Sequence, residues 1–345
     1  MFLITIATFS ASTSGNTCDG KFENQAVQFI VPNAVGGGYD SYGRLFAKHY
    51  SQITGAKVSV YNRKGNSGLL GANLIASSNP DGLTLGIINA AAISMAFLTD
   101  QAGAINPNTD ITIMGRLARL NPVWVVGPDS AFRSVDDMVA SEVNPVMGIT
   151  DLVSANFYYT SIVSDLLGLE FDVVTGLKGT RYRALSATRG DVDFISGSFS
   201  SLQADIEAGD LTPILQITTQ AFSDYPLLND VPVLGGENGF AARQARQNGQ
   251  DPKAAMQLVE AVETFTNAGR LIAMPAGLPE ALRDCIGETV MAVLNSPELK
   301  AEAEIMKLPI SVATADEVTQ QQAIMFEQIG PLIPVVKARA ETIYQ

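Results

Sequence analysis

The chain has 345 residues, of which 46% are hydrophobic and 17% charged, with a formal net charge of −13. So apolar a composition excludes a disordered chain and is ample for two lobes of ordinary domain size. The acidic balance, with no stripe of Lys and Arg interleaved with aromatics, argues against a nucleic-acid partner, because such a surface repels phosphate backbones. It leaves an anionic small molecule open, since binding follows the field inside a cleft and salt screens the distant total.

Residues 1–9 (MFLITIATF) are apolar and are followed by the small residues 10–15. This reads as the end of a secretory signal whose basic start lies upstream, the first basic residue being Lys21. No later apolar run approaches the roughly 20 residues needed to cross a bilayer, so an exported, soluble, periplasmic protein is expected. Two cysteines, Cys18 and Cys285, are too few for a disulfide scaffold and too scattered for a zinc site. Two readings stay open: a bridge tying the N-terminal tail to a later helix, or two unrelated thiols.

Short β-rich runs alternate with amphipathic helical stretches, the pattern of an α/β fold. Residues 27–31 read as a first strand, followed by a glycine loop and a helix over 39–52. Residues 57–61 are strand-like, and a second glycine-rich turn opens a helix through Ala76. Asn79-Pro80-Asp81-Gly82 signals a turn before a buried strand over 83–88. A second set comprises a strand at 124–127, a helix after Ser134, a strand at 146–149 and a helix over 154–167. Strands at 171–174 and 192–195 then flank a helix starting near Gly179, and 213–217 closes the set. Residues 236–267 read as helical and polar, and 271–274 as a strand. The loop 275–279 precedes a helix with Pro279 just inside it. The tail 314–344 is helical, interrupted by Pro331 and Pro334. These elements predict a tail (1–24), a first lobe from 25–120 plus 271–345, and a second lobe from 121–270. A ligand is expected in the crevice beyond the carboxyl ends of the strands.

Chemistry concentrates in the loop Ala34, Val35, Gly36, Gly37, Gly38, Tyr39, Asp40, where a strand runs through three glycines into a helix. Glycine lets the backbone approach a ligand, and the amides at the helix N-terminus suit an anion. Asp40 reads either as part of this site or as a cap of the helix. The loop is not a dinucleotide fingerprint, because Ser41 stands where the third glycine belongs, and Gly65-x-x-Gly68-x-x-Gly71 lacks the Lys-Ser/Thr of a phosphate loop. The single histidine, His49, reads as a partly exposed structural residue late in a helix, so histidine triads and metal clusters are not expected. Residues 196–201 (SGSFSS) do not match a nucleophile elbow and read as hydroxyls and amides, Ser198 among them, at a strand end. Lys178, Arg181 and Arg183 surround Gly179; one of them facing the cleft would pair with a carboxylate, while all three pointing to solvent is the plainer reading. Tyr39 and Trp124 read as pocket walls or as packing. No enzyme activity, cofactor or metal is expected.

The chain resembles the tripartite tricarboxylate transporter receptors, also called Bug-type extracytoplasmic solute-binding proteins, over nearly everything after residue 25. The resemblance rests on Val31-Pro32-x-Ala34-x-Gly36-Gly37-Gly38-x-Asp40, then Arg44-Leu45, and Val60-Tyr61-Asn62-Arg63-Lys64-Gly65-Asn66-Ser67-Gly68. Gly71-Ala72, Asn79-Pro80-Asp81-Gly82-x-Thr84, Lys178-Gly179, Arg189-Gly190-Asp191-Val192-Asp193, Asp230-Val231-Pro232 and residues 275–279 (PAGLP) continue it. Gly38-Tyr39-Asp40, Gly115-Arg116-Leu117 and the stretch 236–267 are similar to a longer subgroup. The resemblance implies a two-lobed periplasmic-binding-protein-like fold with crossover strands as hinge, a small carboxylate ligand, and integral membrane permease subunits as partners. It implies that two facing loops hold the carboxylate: the first over 34–40, the second over 148–156 with Thr150 and Ser154. Asp151 departs from the pattern by adding negative charge, which leaves the ligand's distal group open to a neutral or cationic identity. Asn33 likewise replaces an apolar residue. The competing readings are a cytoplasmic α/β transferase-like enzyme and an orphan exported receptor used for sensing.

Overall fold

The computed structural model describes residue 18 and residues 20–343. The expected export segment, residues 1–9, lies outside these residues, as does Tyr344 at the end of the expected C-terminal helix. The first sheet is built from β1 (Ala26–Val31), β2 (Lys57–Asn62), β3 (Thr84–Asn89), β4 (Ile111–Ala118) and a strand returning from much later in the chain, Arg270–Pro275. Its order is β2-β1-β3-(270–275)-β4, with β1 parallel to β2 and β3 and the late strand antiparallel to both neighbours. The second sheet contains β5 (Pro122–Val126), β6 (Val146–Gly148), β7 (Asp172–Val174), β8 (Phe194–Ser198) and β9 (Thr212–Gln216), in the order β7-β6-β8-β5-β9. The returning strand is therefore β10.

Helices wrap both sheets. In chain order they are α1 (Gly38–Thr54), α2 (Leu69–Ala76), α3 (Ala90–Leu98), α4 (Val135–Ala140), α5 (Ala155–Leu167), α6 (Thr180–Thr188), α7 (Phe199–Glu207), α8 (Phe240–Gln247) and α9 (Pro252–Asn267). After β10 come α10 (Glu280–Asn295), α11 (Pro297–Ile305), α12 (Ala315–Ile329) and α13 (Ile333–Ile343). The expected single stretch over 236–267 is in fact two helices. Gly249 adopts φ +68 and Asp251 caps the next helix by accepting from the Lys253 amide, with Pro252 in its first turn. The strand expected at 192–195 begins at Phe194, because Asp191 and Asp193 hold a turn in which Asp193 Oδ2 accepts the Val146 amide at 2.8 Å. Pro279 stands one residue before its helix. Pro331 and Pro334 divide α12 from α13 through a short turn over Gly330–Leu332, as the missing amides require.

The two sheets are joined where β4 passes into β5 at residues 119–121 and where α9 passes into β10 at residues 268–269. These crossovers run side by side. A Cβ on Gly269 would lie 2.3 Å from the Ala118 carbonyl oxygen, so only glycine allows this approach. Every residue of β10 is buried, as a central strand covered on both faces requires. The first lobe also carries a disulfide: Cys18 is bridged to Cys285 on α10, with Cα atoms 5.3 Å apart and Phe22 buried beside the bridge. His49 is buried and pairs with Glu302 of α11 at 2.9 Å, so it is structural but not partly exposed. In the second lobe Trp124 is fully buried against Phe194, their ring centroids 5.3 Å apart; it belongs to the core, not to a pocket wall.

Candidate ligand-binding site

The first loop leaves β1 at Pro32 and enters α1 through Gly37, the residue preceding its first turn. Of its three glycines only Gly36 needs a positive φ, +78. The carboxylate of Asp40, three residues into the helix, folds back to accept the Gly36 amide at 2.9 Å. Its other oxygen accepts Arg44 Nε and Asn62 Nδ2, each at 2.9 Å. Burial by itself would raise the pKa of this carboxyl group. The hydrogen bonds from Arg44, the Gly36 amide and Asn62 outweigh that and hold it below its ordinary value. Asp40 is thus neither the helix cap nor free for a ligand: it is committed to the loop's shape, and so is the Gly36 amide. Gly37 donates to the Ala34 carbonyl at 3.3 Å. The amides of Gly38, Tyr39 and Asp40 have no acceptor within the helix, since the first such bond is Ser41 N–H to Gly37 O. Val35 at the loop tip is 71% exposed.

The second loop, residues 149–154, leaves β6 and enters α5. Ser154 is the N-cap: its Oγ accepts the Phe157 amide at 3.3 Å and donates to the Asp151 carbonyl at 2.9 Å. Thr150 is half-buried, and its carbonyl accepts the Gly176 amide at 3.0 Å. Asp151 accepts the Val153 amide at 3.2 Å and the Ser67 hydroxyl, which comes from the first lobe. This side chain therefore links the second loop to the turn before α2.

Around Gly179 (φ +99) the three basic residues part company. Lys178 and Arg181 are exposed, and Arg183 turns inward and is buried. Its Nη1 donates to the Ser196 carbonyl at 2.6 Å and Nη2 to Thr180 Oγ1 at 3.2 Å. Burial lowers its pKa, with Tyr159 and Asp151 opposing the shift. Helical spacing could have singled out Arg183, because it stands beside Ala184 and one turn before Ala187 on the buried face of α6. Asn156 Nδ2 donates to the same Ser196 carbonyl at 2.6 Å, and Tyr159 and Ser196 share a hydrogen bond of 2.9 Å.

Ser198 ends β8 and precedes α7. Its Oγ lies 3.0 Å from Ser200 Oγ and accepts Arg270 Nη2 at 3.1 Å. The first turns of α1 and α7 meet here: a Cβ on Gly38 would fall 2.4 Å from Ser201 Oγ. The Tyr39 hydroxyl is buried without a hydrogen-bond partner, and burial pushes its pKa up. Arg270 was missed by the sequence reading, although a charged residue opening an otherwise apolar strand is a visible signal. The structure therefore brings the Gly38–Tyr39 turn, Ser198 and Arg270 together between the two sheets, buries Arg183 within the second lobe and leaves Lys178 exposed. Among the described residues no group of three or more His, Cys, Asp or Glu is placed to hold a metal ion. An open cavity of about 570 Å³ lined by Gln203, Tyr225, Lys307 and Pro309 shares none of these loop residues.

Residues 43–245, more than half of the chain, match the family described as tripartite tricarboxylate transporter family receptor. The chain belongs to this receptor family. Among its curated relatives is a UPF0065 protein in the tcbD-tcbE intergenic region of a Pseudomonas species, 26% identical over 69% of this chain and 70% of that one. Another, a UPF0065 protein of Bordetella bronchiseptica, is 20% identical over 88% of this chain and 82% of its own length. Solved structures of similar fold include Rpa4515 of R. palustris with adipate (TM-score 0.73, 19% identity, 91% of this chain and 97% of that one). MatC of Rhodopseudomonas palustris with bound malate has a TM-score of 0.70 at 18% identity, over 90% and 99%. The periplasmic binding protein BugD has a TM-score of 0.71 at 17% identity, over 92% and 98%. The two sheets and their crossovers are therefore the receptor family's two-lobed fold. Among the described residues no helix is long and apolar enough to cross a membrane.

Proposed function

We propose that this receptor is exported, captures a small organic carboxylate between its lobes without transforming it, and delivers it to membrane permease subunits. The observation that carries this reading is the first turn of α1. Its leading amides are unspent within the helix, Gly38 has no side chain to block them, and they face the second lobe. A carboxylate there gains charge-assisted hydrogen bonds and the favourable end of the helix dipole, about 0.3–2 kcal/mol for the dipole alone. The second loop contributes Thr150 and the N-terminus of α5. Ser154 supports that helix end by capping it instead of reaching for the ligand. The ligands named for two structures of the same fold, malate and adipate, agree in chemical class.

Delivery follows from closure. The lobes share a continuous apolar packing in which α12 and α13 lie against α9 and α5, and Ser67–Asp151, Arg270–Ser198 and the exposed Lys307–Glu207 ion pair are among the polar contacts between them. A ligand that contacts both loops favours this arrangement over a separated one by its differential contacts, and that difference is what a permease can sense. The test is thermal unfolding of refolded, ligand-free protein against mono-, di- and tricarboxylates, aromatic acids and amino acids. A binder at a hundredfold excess over its Kd stabilises the fold by about 2.7 kcal/mol, a shift of several degrees. Stabilisation by one or a few acids is expected; a flat response to every acid would refute the carboxylate assignment.

A further inference from the structure

Three arginines are buried among the described residues, and their surroundings differ. Arg116 meets carbonyl and amide oxygens at Nε and Nη1: Ser311 O at 3.1 Å, Asn267 O at 3.0 Å and Gln321 Oε1 at 2.7 Å. Arg183, whose Nε is also without a partner, has Asp151 near enough to offset part of its charge. Arg270 is 1% exposed, has no carboxylate beside it and, like the other two, forms no ion pair among the described residues. Of its five N–H groups, one of Nη1 reaches the Arg119 carbonyl at 2.8 Å and one of Nη2 reaches Ser198 Oγ, while Nε has no partner. Its guanidinium lies over the rings of Tyr39 and Tyr42, at 5.1 and 4.5 Å from their centroids. Stacking on rings positions a cation but does not replace an anion, and a buried guanidinium with unspent donors is costly unless something negative completes it.

The position of Arg270 says where that anion comes from. It is the first residue of β10, directly after the Gly269 crossover, so it lies at the floor between the lobes. A Cβ on Gly38 would sit 3.6 Å from Nη2, which puts the guanidinium beside the open first turn of α1, with Ser198 and the start of α7 on the other side. Two helix N-termini and an unpaired arginine converge on one point, in a chain of net charge −13.

We propose that Arg270 is the residue that reads the ligand's charge: its guanidinium pairs with the carboxylate held at the α1 N-terminus, releasing Ser198 Oγ from Nη2. This rests on the carboxylate reading above and adds the side chain that makes an anion obligatory. It also resolves the question raised by Asp151. The acid on the second loop is occupied by Ser67 and the Val153 amide and lies near Arg183, so it does not call for a cationic ligand.

The experiment is isothermal titration of wild type, Arg270→Gln and Arg270→Lys with the best acid from the thermal screen and with its neutral primary amide. Wild type is expected to prefer the acid over the amide. Arg270→Gln should lose about 10- to 100-fold in acid affinity while its amide affinity changes little, so that the acid-to-amide ratio collapses. Arg270→Lys, which keeps the charge but not the fork, should recover part of the ratio. A merely structural arginine would weaken acid and amide together, and an unchanged or proportionate loss in Arg270→Gln overturns the proposal while leaving the receptor reading intact. If Arg270→Gln does not fold, Arg270→Lys decides: acid and amide affinities weakened by the same factor overturn the proposal. Wild type that binds neither acid nor amide overturns both readings.

Discussion

The two loops that approach each other across the cleft solve the same geometric problem with opposite chemistry. In the first lobe three glycines carry the chain into α1, and one carboxylate, Asp40, gathers Gly36, Arg44 and Asn62 to hold the turn. In the second lobe no glycine follows β6 before α5, and a hydroxyl cap, Ser154, sets the helix start while Asp151 reaches across to Ser67. The first loop leaves amides uncommitted at its helix, and the second spends its side chains on its own shape and on closure. The lobes differ in the same sense: the first is tied by a disulfide and holds Arg270, and the second relies on packing of Trp124, Phe171 and Phe194. The lesson is that the glycine loop is held by buried polar ties, and the facing loop spends a side chain on a contact with the other lobe.

Breaking the disulfide tests the first half of that contrast most severely. Cys18 and Cys285 are separated by 267 positions, so Cys285→Ala should cost about 2–5 kcal/mol by urea unfolding, all of it in the unfolding of the first lobe. Two free thiols in the unfolded, unreduced protein would remove the bridge altogether.

Asp40→Ala comes next. It strands the Gly36 amide, Arg44 and Asn62 and should cost about 3 kcal/mol, with loss of ligand binding because the first turn of α1 is no longer held. The same residue sets a pH dependence. Its folded pKa is lowered, so its contribution is full above the ordinary aspartate value of about 3.9 and is lost as the pH falls through the folded value. Stability measured from neutral pH downward should therefore decline more steeply in wild type than in Asp40→Asn; parallel curves would show that Asp40 is not the group responsible.

Changes in the second loop should be gentler. Ser154→Ala removes one cap and should destabilise by about 1 kcal/mol in urea, leaving the ligand's rank order unchanged. A change in rank order would mean that this hydroxyl contacts ligand and would erase the distinction between the loops. Smallest is Ser67→Ala, which cuts one hydrogen bond between the lobes: about 0.5–1.5 kcal/mol of closure, read as a 2- to 10-fold weaker Kd with little change in unfolding.

Much of this architecture is already written in local chemistry. Alternating runs, the Asn79-Pro80-Asp81-Gly82 turn and the glycine loop mark β1 to β3 and their helices to within a residue or two, because turn residues and apolar periodicity act over a few positions. The split between α8 and α9 was obscured because Asn248, Gly249 and Gln250 interrupt a polar stretch without altering its composition; only the cap at Asp251 reveals it. The glycine entry to α1 and the turn into α5 follow from local residues, whereas Asp40, open between a site residue and a helix cap, ties the loop to β2, because its bonds to Gly36 and Asn62 depend on how β1 and β2 pair.

What the sequence by itself determined is the α/β alternation, the two sets of elements, the glycine entry to α1 and the absence of a nucleotide fingerprint or histidine triad. Tertiary structure alone decided that β10 returns between β3 and β4, which carries Arg270 to the floor of the cleft. It also decided that Cys18 meets Cys285. Backbone periodicity is encoded by neighbours a few residues apart, but the pairing of a buried charge or thiol depends on segments 70 to 270 positions away, and no local pattern specifies which of them will close on it.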